Sequence, residues 1–219
     1  MTFSIAGRCL RTGMLGAVVT TSSMGVGSRC PWARAGVGAA LTQHRTDPRL
    51  GPVMLDRLKD GAAPETIMKE LEQSDPDLKW RQLALLAADG RAAYFHGSKI
   101  LSTKKGIVGK NCVAIGNIIR STGVVDAMVA TFEGCEEQPL PERLMRAIEA
   151  GQAAGGEWKQ IKSAGLVVVH KESFPFVDLR VELSPRPLDE LRYLWEIYQP
   201  SAELYVTRGV DPDSAPGAG

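Results

Sequence analysis

The chain has 219 residues, a length that fits one domain with a substantial core. Its 26 Lys and Arg residues nearly balance its 25 Asp and Glu residues, so the formal net charge is +1 at pH 7. This balance argues against nucleic acid or an anionic membrane as a partner, and no apolar run approaches the roughly 18 residues of a membrane span. We therefore expect a soluble, cytoplasmic protein whose partner is a small molecule or a protein.

Cysteine and histidine are too dispersed for a metal site. The four cysteines contain no Cys-x-x-Cys pair, and the three histidines are equally far apart. The chain also lacks a phosphate-binding loop and a Gly-x-Gly-x-x-Gly fingerprint after a strand, so a cofactor-dependent enzyme ranks last among the alternatives. We expect no metal, no cofactor and free, buried cysteines, with a disulfide or a redox role as the alternative.

The chain begins with a predicted β-hairpin. Thr2 to Ala6 alternate as a short strand, Thr12-Gly13 provides a turn, and Leu15 to Thr21 form the returning strand. Because five arginines precede the first acidic residue, Asp47, the composition here is also typical of an organellar transit peptide. The alternation and the turn residues favour a folded hairpin, which would anchor the N-terminus in a sheet.

Thr2 is the main catalytic candidate. A small residue after the initiator lets an aminopeptidase remove Met1, which leaves Thr2 as the mature N-terminus. Its hydroxyl is then a nucleophile, and its α-amine, with a pKa near ~8, is a base on the same residue. Many proteins that begin Met-Thr are merely trimmed, and in that interpretation Thr2 has no chemical role.

The elements after the hairpin come in groups. A Ser/Gly-rich loop over 22–28 precedes another strand pair, in which the small residues over 34–43 are expected to form a strand. Periodicity then predicts two helices, a hairpin with an Asp-Gly turn, one more strand, two helices, a second hairpin and a last helix. The helices cover 52–60, 64–74, 124–133, 141–152 and 188–198, and the strands cover 81–87, 91–97, 112–119, 163–170 and 175–183.

This grouping differs from the strict alternation of a doubly wound parallel fold. It predicts an α+β protein, a four-layer α-β-β-α sandwich in which two antiparallel sheets lie between helix layers. A single domain covers 2–208. The remaining residues, 209–219, are rich in Pro, Gly, Ala and Ser, and we expect this tail to be disordered.

Several motifs identify a family resemblance. The opening Met1-Thr2-Phe3-Ser4-Ile5, the run from Arg29 to Ala39, and Asp47-Pro48 followed by Leu50-Gly51-Pro52 resemble the bacterial family called domain of unknown function 1028. Shorter matches occur at Arg81-Gln82-Leu83, Gly116-Asn117, Gly151 to Gly156, Ser163-Ala164 and Val177-Asp178-Leu179-Arg180. The resemblance extends over most of the chain.

That family in turn resembles the N-terminal-nucleophile hydrolases, a four-layer fold whose members cleave amide bonds. The resemblance implies that Thr2 is the nucleophile and that polar groups at the end of the second strand, Thr21 to Ser23, lie beside it, with Ser22 as the candidate for a hydrogen bond near the Thr2 amine. The lysine of proteasome-type sites has no equivalent here. Arg29 or Arg34 would take its place, although an arginine stabilises charge and cannot act as a base.

An oxyanion that develops during acyl transfer needs preorganised hydrogen-bond donors. Backbone N–H groups around Gln43, the Asn117 side chain and the Ser163 hydroxyl are candidates, because each lies at a predicted strand end. The alternative is that Asn117 caps the turn before the next helix and that Ser163 and Gln43 only satisfy buried backbone groups. Trp32, beside Arg34, is a further candidate for the substrate pocket, with packing in the core as its alternative.

Asp178 and Arg180 are alternate residues of one strand and are expected to form a buried ion pair with a structural role.

These observations predict a hydrolase of a small non-peptide amide, acting at a C–N bond. Thr2, Ser22, Asn117 and Ser163 form its catalytic set, and Arg29, Arg34, Gln43 and Trp32 bind substrate. The alternative is a catalytically silent protein that keeps the fold for binding or assembly; retention of Met1 would favour it, because a blocked α-amine cannot act as a base. We expect a homodimer.

Overall fold

The computed structural model describes residues 1–217, and this part of the chain forms ten β-strands and six α-helices. The strands are β1 Thr2–Arg8, β2 Leu15–Thr21, β3 Pro31–Arg34, β4 Gly38–Gln43, β5 Gln82–Ala87, β6 Ala92–His96, β7 Lys104–Gly109, β8 Cys112–Asn117, β9 Ser163–Val169 and β10 Val177–Val181. The helices are α1 Leu50–Lys59, α2 Pro64–Ser74, α3 Gly123–Glu133, α4 Leu140–Ala153, α5 Pro187–Tyr198 and α6 Ala202–Val210.

The strands form two antiparallel sheets. The larger sheet has the order β10-β9-β2-β1-β8-β7, and the smaller sheet has the order β3-β4-β5-β6. Strand β1 lies inside the larger sheet, where Phe3 pairs with Thr20 of β2 on one side and with Gly116 of β8 on the other. The start of the chain is therefore held by two neighbours and does not fray as most termini do.

The two sheets lie face to face between two helix layers. Helices α3, α4 and α5 cover the larger sheet in a core that contains Phe3, Phe132 and Trp195. Helices α1 and α2 cover the smaller sheet around Met54 and Leu85. The predicted four-layer α-β-β-α sandwich with two antiparallel sheets is confirmed. Between the sheets lie mostly small residues, Ala6, Ala17, Ala39, Leu41, Ala84, Leu86, Ala92, Val113 and Ile115.

Three local predictions differ from the structure. The predicted strand pair is present as β3 and β4, but the strand expected over 34–43 begins only at Gly38, because Gly36, with φ of +69°, lies in the turn between the two strands. Strand β8 ends at Asn117 rather than at residue 119, since Ile118 has φ of 54°. Strand β7 and helix α6 have no counterpart in the predicted elements; β7 is an edge strand that begins with two lysines, which hide its alternation.

Asp178 and Arg180 do form the predicted ion pair, with 2.8 Å between Asp178 Oδ1 and Arg180 Nε. The expected burial is wrong, because both side chains lie on the solvent side of β10, an edge strand. All four cysteines are buried and free, as predicted.

The domain boundary predicted at residue 208 lies inside α6, and residues 212–214 form a short 3-10 turn. Disorder of the tail over 209–219 stays a prediction, and its last two residues lie outside the described range. Within residues 1–217, no helix has the length and the apolar character that crossing a bilayer requires.

Candidate active site

Polar side chains collect at one end of the layer between the sheets. Side chains alternate along a strand, so every second residue of β1, β2, β4, β5 and β8 faces this layer. At one end these positions hold apolar residues, and at the other end they hold hydroxyls and amides. The polar end consists of Thr2, Ser4, Thr21, Gln43, Gln82 and Asn117, all of them buried. Five strands therefore bring a polar cluster to one place.

Thr2 is the first residue of β1 and is only 6% exposed. Its Oγ1 lies 3.2 Å from Oγ1 of Thr21, the last residue of β2. Both hydroxyls donate hydrogen bonds to the carbonyl of Met1, which therefore covers them. Removal of Met1 would uncover the two hydroxyls and turn the Thr2 amide nitrogen into an α-amine.

A chain of buried amides links the two sheets beside Thr2. Ser4 Oγ donates to Gln43 Oε1 at 2.8 Å, and Gln43 Nε2 donates to Gln82 Oε1 at 2.6 Å. Gln82 Oε1 also accepts from Asn117 Nδ2 at 2.9 Å, while Gln82 Nε2 donates to a backbone carbonyl of β8 at 2.9 Å. In a buried site these bonds reinforce one another and fix the side chains in one arrangement.

Two residues with left-handed backbone follow this chain of amides. His44 directly follows Gln43 and has φ of 58°, and Ile118 directly follows Asn117 and has φ of 54°. For an L-residue this conformation costs roughly 1–2 kcal/mol, and a β-branched side chain rarely adopts it. Strained backbone concentrates at functional sites, so His44 and Ile118 favour a functional site at these strand ends.

Glu157 is a carboxyl group buried near the N-terminus. Only 4% of the residue is exposed, and its Oε2 accepts the backbone N–H of Ser22 at 3.1 Å. Its Oε1 has no hydrogen-bond partner within residues 1–217. Burial raises the pKa of Glu157 to about 7, against the opposing effects of Ser22 and of the positive N-terminal amine. The group therefore changes charge near neutral pH.

The N-terminal amine also has a shifted pKa. Burial lowers the pKa of the Met1 amine, the charge of Glu157 raises it, and the charge of Lys159 lowers it. A lysine thus acts on the amine, although the sequence pointed to none. A lowered pKa increases the fraction of free base at neutral pH, which is the form that accepts a proton.

A cavity of about 830 Å³ opens at these groups. Its volume lies within the range of roughly 300–1,000 Å³ that is typical of small-molecule sites. Cys30 lines it, but burial raises the pKa of this thiol to about 11, so the sulfur is neutral and a poor nucleophile. The hydroxyls of Thr2 and Thr21 are therefore the better candidates for chemistry in this cavity.

Residues 2–191 match the family described as Family of unknown function (DUF1028). The chain belongs to the DUF1028 family. This confirms the family resemblance found in the sequence. No curated protein is significantly similar to the chain.

The DUF1028 chain is also similar to a solved structure, the crystal structure of a Silicibacter pomeroyi protein assigned to the same family. The two sequences are 28% identical, the superposition covers 90% of this chain and 86% of that chain, and the TM-score is 0.84. The two proteins therefore share their architecture over nearly the whole domain.

Three of the predicted site residues line the cavity of the DUF1028 protein: Thr2, Ser22 and Arg29. Ser22 contributes through its backbone N–H, which holds Glu157. The Arg29 guanidinium donates to the carbonyls of Met24 and Gly25, at 2.7 and 2.6 Å, so it also orders its own loop.

Trp32 and Arg34, predicted to bind substrate, are not among the residues that line the cavity. Trp32 packs against α1, where a Cβ added to Gly51 would lie 2.2 Å from its ring. Arg34 forms an ion pair of 2.7 Å with Asp56, also on α1. Both residues belong to β3, and their side chains contact α1 and not the cavity.

The Asn117 and Ser163 side chains, predicted as oxyanion donors, make other hydrogen bonds, whereas the role of the backbone N–H groups around Gln43 stays a prediction. The Ser163 hydroxyl donates to the Ser23 carbonyl at 2.7 Å and accepts from the Val26 N–H at 3.1 Å, so it fixes the loop after β2. The side chains of Asn117 and Gln43 belong to the chain of amides between the sheets. The geometry fits the structural alternative for Ser163 and a positioning role for the two amides.

Glu157 and Gln82 are absent from the sequence-derived site. Glu157 follows Gly155-Gly156 in an irregular segment and reaches the site through an isolated bridge to Ile119. Gln82 is the polar first residue of an otherwise apolar strand. Gln82 could have been found in the sequence as a polar residue in an apolar strand. The position of Glu157 depends on the tertiary fold.

Proposed function

We propose that this DUF1028 protein is an amide hydrolase, in which the Thr2 hydroxyl is the nucleophile and the Thr2 α-amine, freed by removal of Met1, is the base. The observation that carries the proposal is the position of Thr2. It begins a strand inside the larger sheet, faces an enclosed polar cluster, and has its Oγ1 3.2 Å from Thr21 Oγ1 at the cavity. This position supports the resemblance to the N-terminal-nucleophile hydrolases.

Two buried acceptors further support a free amine at Thr2. Asn117 pairs with Thr2 in the sheet, and its Oδ1 has no partner within residues 1–217. Oε1 of Glu157, whose charge acts on the N-terminal amine, is likewise unpaired in that range. An amide nitrogen offers one hydrogen, whereas a neutral amine offers two and a protonated amine offers three. The Thr2 α-amine would therefore supply donors that buried acceptors require.

The reaction has two steps. In the first, Thr2 Oγ attacks the carbonyl carbon of the substrate, its proton moves to the α-amine, and the C–N bond breaks as the leaving nitrogen takes that proton. The product is an ester on Thr2. In the second step, water attacks the ester carbonyl, the α-amine again accepts the proton, and the C–O bond to Thr2 breaks as Oγ is reprotonated. An acid and an amine leave, and the enzyme is unchanged.

The neighbouring groups have positioning roles in this scheme. The Thr21 hydroxyl lies within hydrogen-bond distance of Thr2 Oγ1 and orients it. Lys159 lines the same cavity, and its charge lowers the pKa of the Met1 amine in the unprocessed chain. Gln43 Nε2 lies 3.4 Å from the Thr2 carbonyl and so restrains the backbone of the nucleophile.

Mass spectrometry of the intact protein and of its N-terminal peptide, before and after exposure to a β-lactone probe, tests the proposal. We expect loss of Met1 and a covalent adduct on Thr2 in the wild type and in Thr2→Ser. Thr2→Ala should carry no adduct, because it lacks the nucleophile. Thr66→Ala, which alters an exposed threonine of α2, is the matched control and should be labelled like the wild type.

Retention of Met1 in the purified protein would contradict the proposal, since the α-amine would be blocked. An unreactive Thr2 with a free amine would contradict it as well. In either case, the cavity would be assigned to a protein that binds its ligand without transforming it.

A further inference from the structure

We infer that the cavity at Thr2 selects an amide substrate that carries an anionic group, a carboxylate or a phosphate ester. The inference rests on the proposed function for the reaction, but anion binding itself needs no turnover. Its basis is an excess of positive charge in the cavity wall, although the whole chain has a formal net charge of only +1. The cationic lining residues are Arg29, Arg45, Lys99, Lys159 and Lys162.

These five cations have no ion-pair partner within residues 1–217 at 4.0 Å or less. Elsewhere in the chain, arginines are commonly compensated. Arg192, for example, bridges Glu142 and Glu149 at 2.6 and 2.8 Å. The partners of the Arg29 guanidinium are neutral, namely two carbonyls and the Ser23 hydroxyl. The charge of the cavity wall is therefore available to a ligand.

Two carboxyl groups lie near this wall, and neither cancels its charge. Glu157 is buried, with a pKa raised to about 7, so at neutral pH it carries only part of a negative charge. Glu182 approaches Arg29 across Gly25, where an added Cβ would lie 3.2 Å from both side chains, but the two form no ion pair at 4.0 Å or less within residues 1–217. Within the described chain, no Asp or Glu side chain is part of the lining.

Arg45 supplies a binding group of defined orientation. Its guanidinium lies 3.9 Å from the centre of the Trp80 ring, and Arg81 donates a hydrogen bond to its backbone carbonyl. A stacked guanidinium keeps its planar fork of N–H donors, which matches two oxygens of a carboxylate or a phosphate. The lysines add charge without a fixed direction. Together they favour a small, oxygen-rich anion.

Calorimetric titration of the wild-type protein at low salt tests the inference with three probes: glutarate, its neutral diamide glutaramide, and inorganic phosphate. We expect glutarate to bind about tenfold more tightly than glutaramide, a difference of ~1.4 kcal/mol. Its affinity should fall as NaCl rises from about 0.01 M to about 0.15 M, because the screening length shortens from about 30 to about 8 Å. Phosphate binding more tightly than glutarate would identify a phosphate ester as the substrate group.

The double variant Lys99→Gln with Lys162→Gln should lower the affinity for glutarate at least about fivefold. Lys69→Gln with Lys110→Gln is the matched control, since both lysines lie outside the cavity wall, and it should leave the affinity unchanged. Equal binding of glutarate and glutaramide, no binding of any anion, or no effect of the cavity variant would overturn the inference. A β-lactone adduct on Thr2 together with such a result would overturn the anion preference alone and leave the hydrolase proposal standing.

Discussion

The two ends of the layer between the sheets differ along the same strands. On β5, Gln82 and Leu86 both face this layer, and both are completely buried. Gln82 makes hydrogen bonds to side chains of both sheets, whereas Leu86 lies among alanines and valine. On β1, the corresponding residues are Thr2 and Ala6.

The difference shows how the stability and the chemistry of the domain are separated. The apolar end gains free energy from buried surface that needs no partner. At the polar end, each buried amide must be paired, or it costs about 1–3 kcal/mol. Side chains from five strands make these hydrogen bonds together, and of the amide oxygens only Asn117 Oδ1 lacks a partner within residues 1–217, so substitutions at the polar end should be costly. Buried polar groups of this kind are expected where function demands them.

Leu86→Ala should have the largest effect on stability. Removing a fully buried leucine side chain leaves a cavity and lowers the free energy of unfolding by about 2–5 kcal/mol. Labelling of Thr2 by the β-lactone probe should persist below the unfolding transition, because the substitution lies at the apolar end. Urea denaturation measures the first effect. Leu101→Ala, at a residue that is 89% exposed, is the control and should cost almost nothing. Loss of labelling in folded Leu86→Ala would show that the two ends are not separate.

Compared with Leu86→Ala, Gln82→Leu should lower stability less and slow the labelling of Thr2 more. The substitution keeps the side-chain volume but leaves donors of Gln43 and Asn117 without their acceptor, which should cost about 1–3 kcal/mol. The rate of Thr2 labelling should fall, since Gln43 also contacts the Thr2 carbonyl. Gln73→Leu, on the exposed face of α2, is the matched control. An unchanged labelling rate in folded Gln82→Leu would show that the buried amides do not position Thr2.

The last expected effect is a change in the slope of stability with pH at the polar end, and not a loss of stability at one pH. The pKa of Glu157 is raised from 4.5 to about 7 on folding, so between these values the folded state binds more protons and stability falls as pH rises. The slope is at most ~1.4 kcal/mol per pH unit. His96 acts oppositely, because burial and Lys104 lower its pKa from 6.5 to about 4, and stability rises with pH in that interval.

Glu157→Gln removes one of these opposing contributions. Relative to the wild type, the variant should gain stability as pH rises from about 4.5 to about 7, when both proteins are unfolded with urea at several pH values. The Met1 amine and Lys159 lie near the carboxyl group, so the comparison requires the same N-terminus in both proteins. Parallel stability profiles would mean that Glu157 does not titrate in this interval.

Most of the fold could be predicted from the sequence because it depends on local patterns. The first hairpin, the Asp-Gly turn before β6 and the prolines at the starts of α2 and α5 are local signals. Strand β7 escaped prediction because its lysines and glycines leave little apolar alternation. The turn at Gly36 escaped because a run of small residues is compatible with a strand on either side of it.

The site could be predicted only in part. Thr2 and Ser22 follow from their positions at the chain start and at the end of the second strand. Arg34 was predicted as a substitute for the missing lysine and Trp32 as its stacking neighbour, but both lie on β3, where their side chains contact α1. Glu157 comes from a glycine-rich segment more than a hundred residues from Thr2, and its importance arises from burial, which no local pattern reveals.

The alanines between the sheets have a consequence beyond packing. The hydrogen bonds from Ser4 to Gln43 and from Asn117 to Gln82 cross from one sheet to the other, so their lengths depend on the separation of the sheets. Small residues such as Ala6 set that separation along the whole layer. A methyl group gained there during evolution would push the sheets apart and stretch bonds many ångströms away. The alanines therefore fix the separation of the two sheets at a site that they do not contact. Substitutions by larger residues should be tolerated least in this layer.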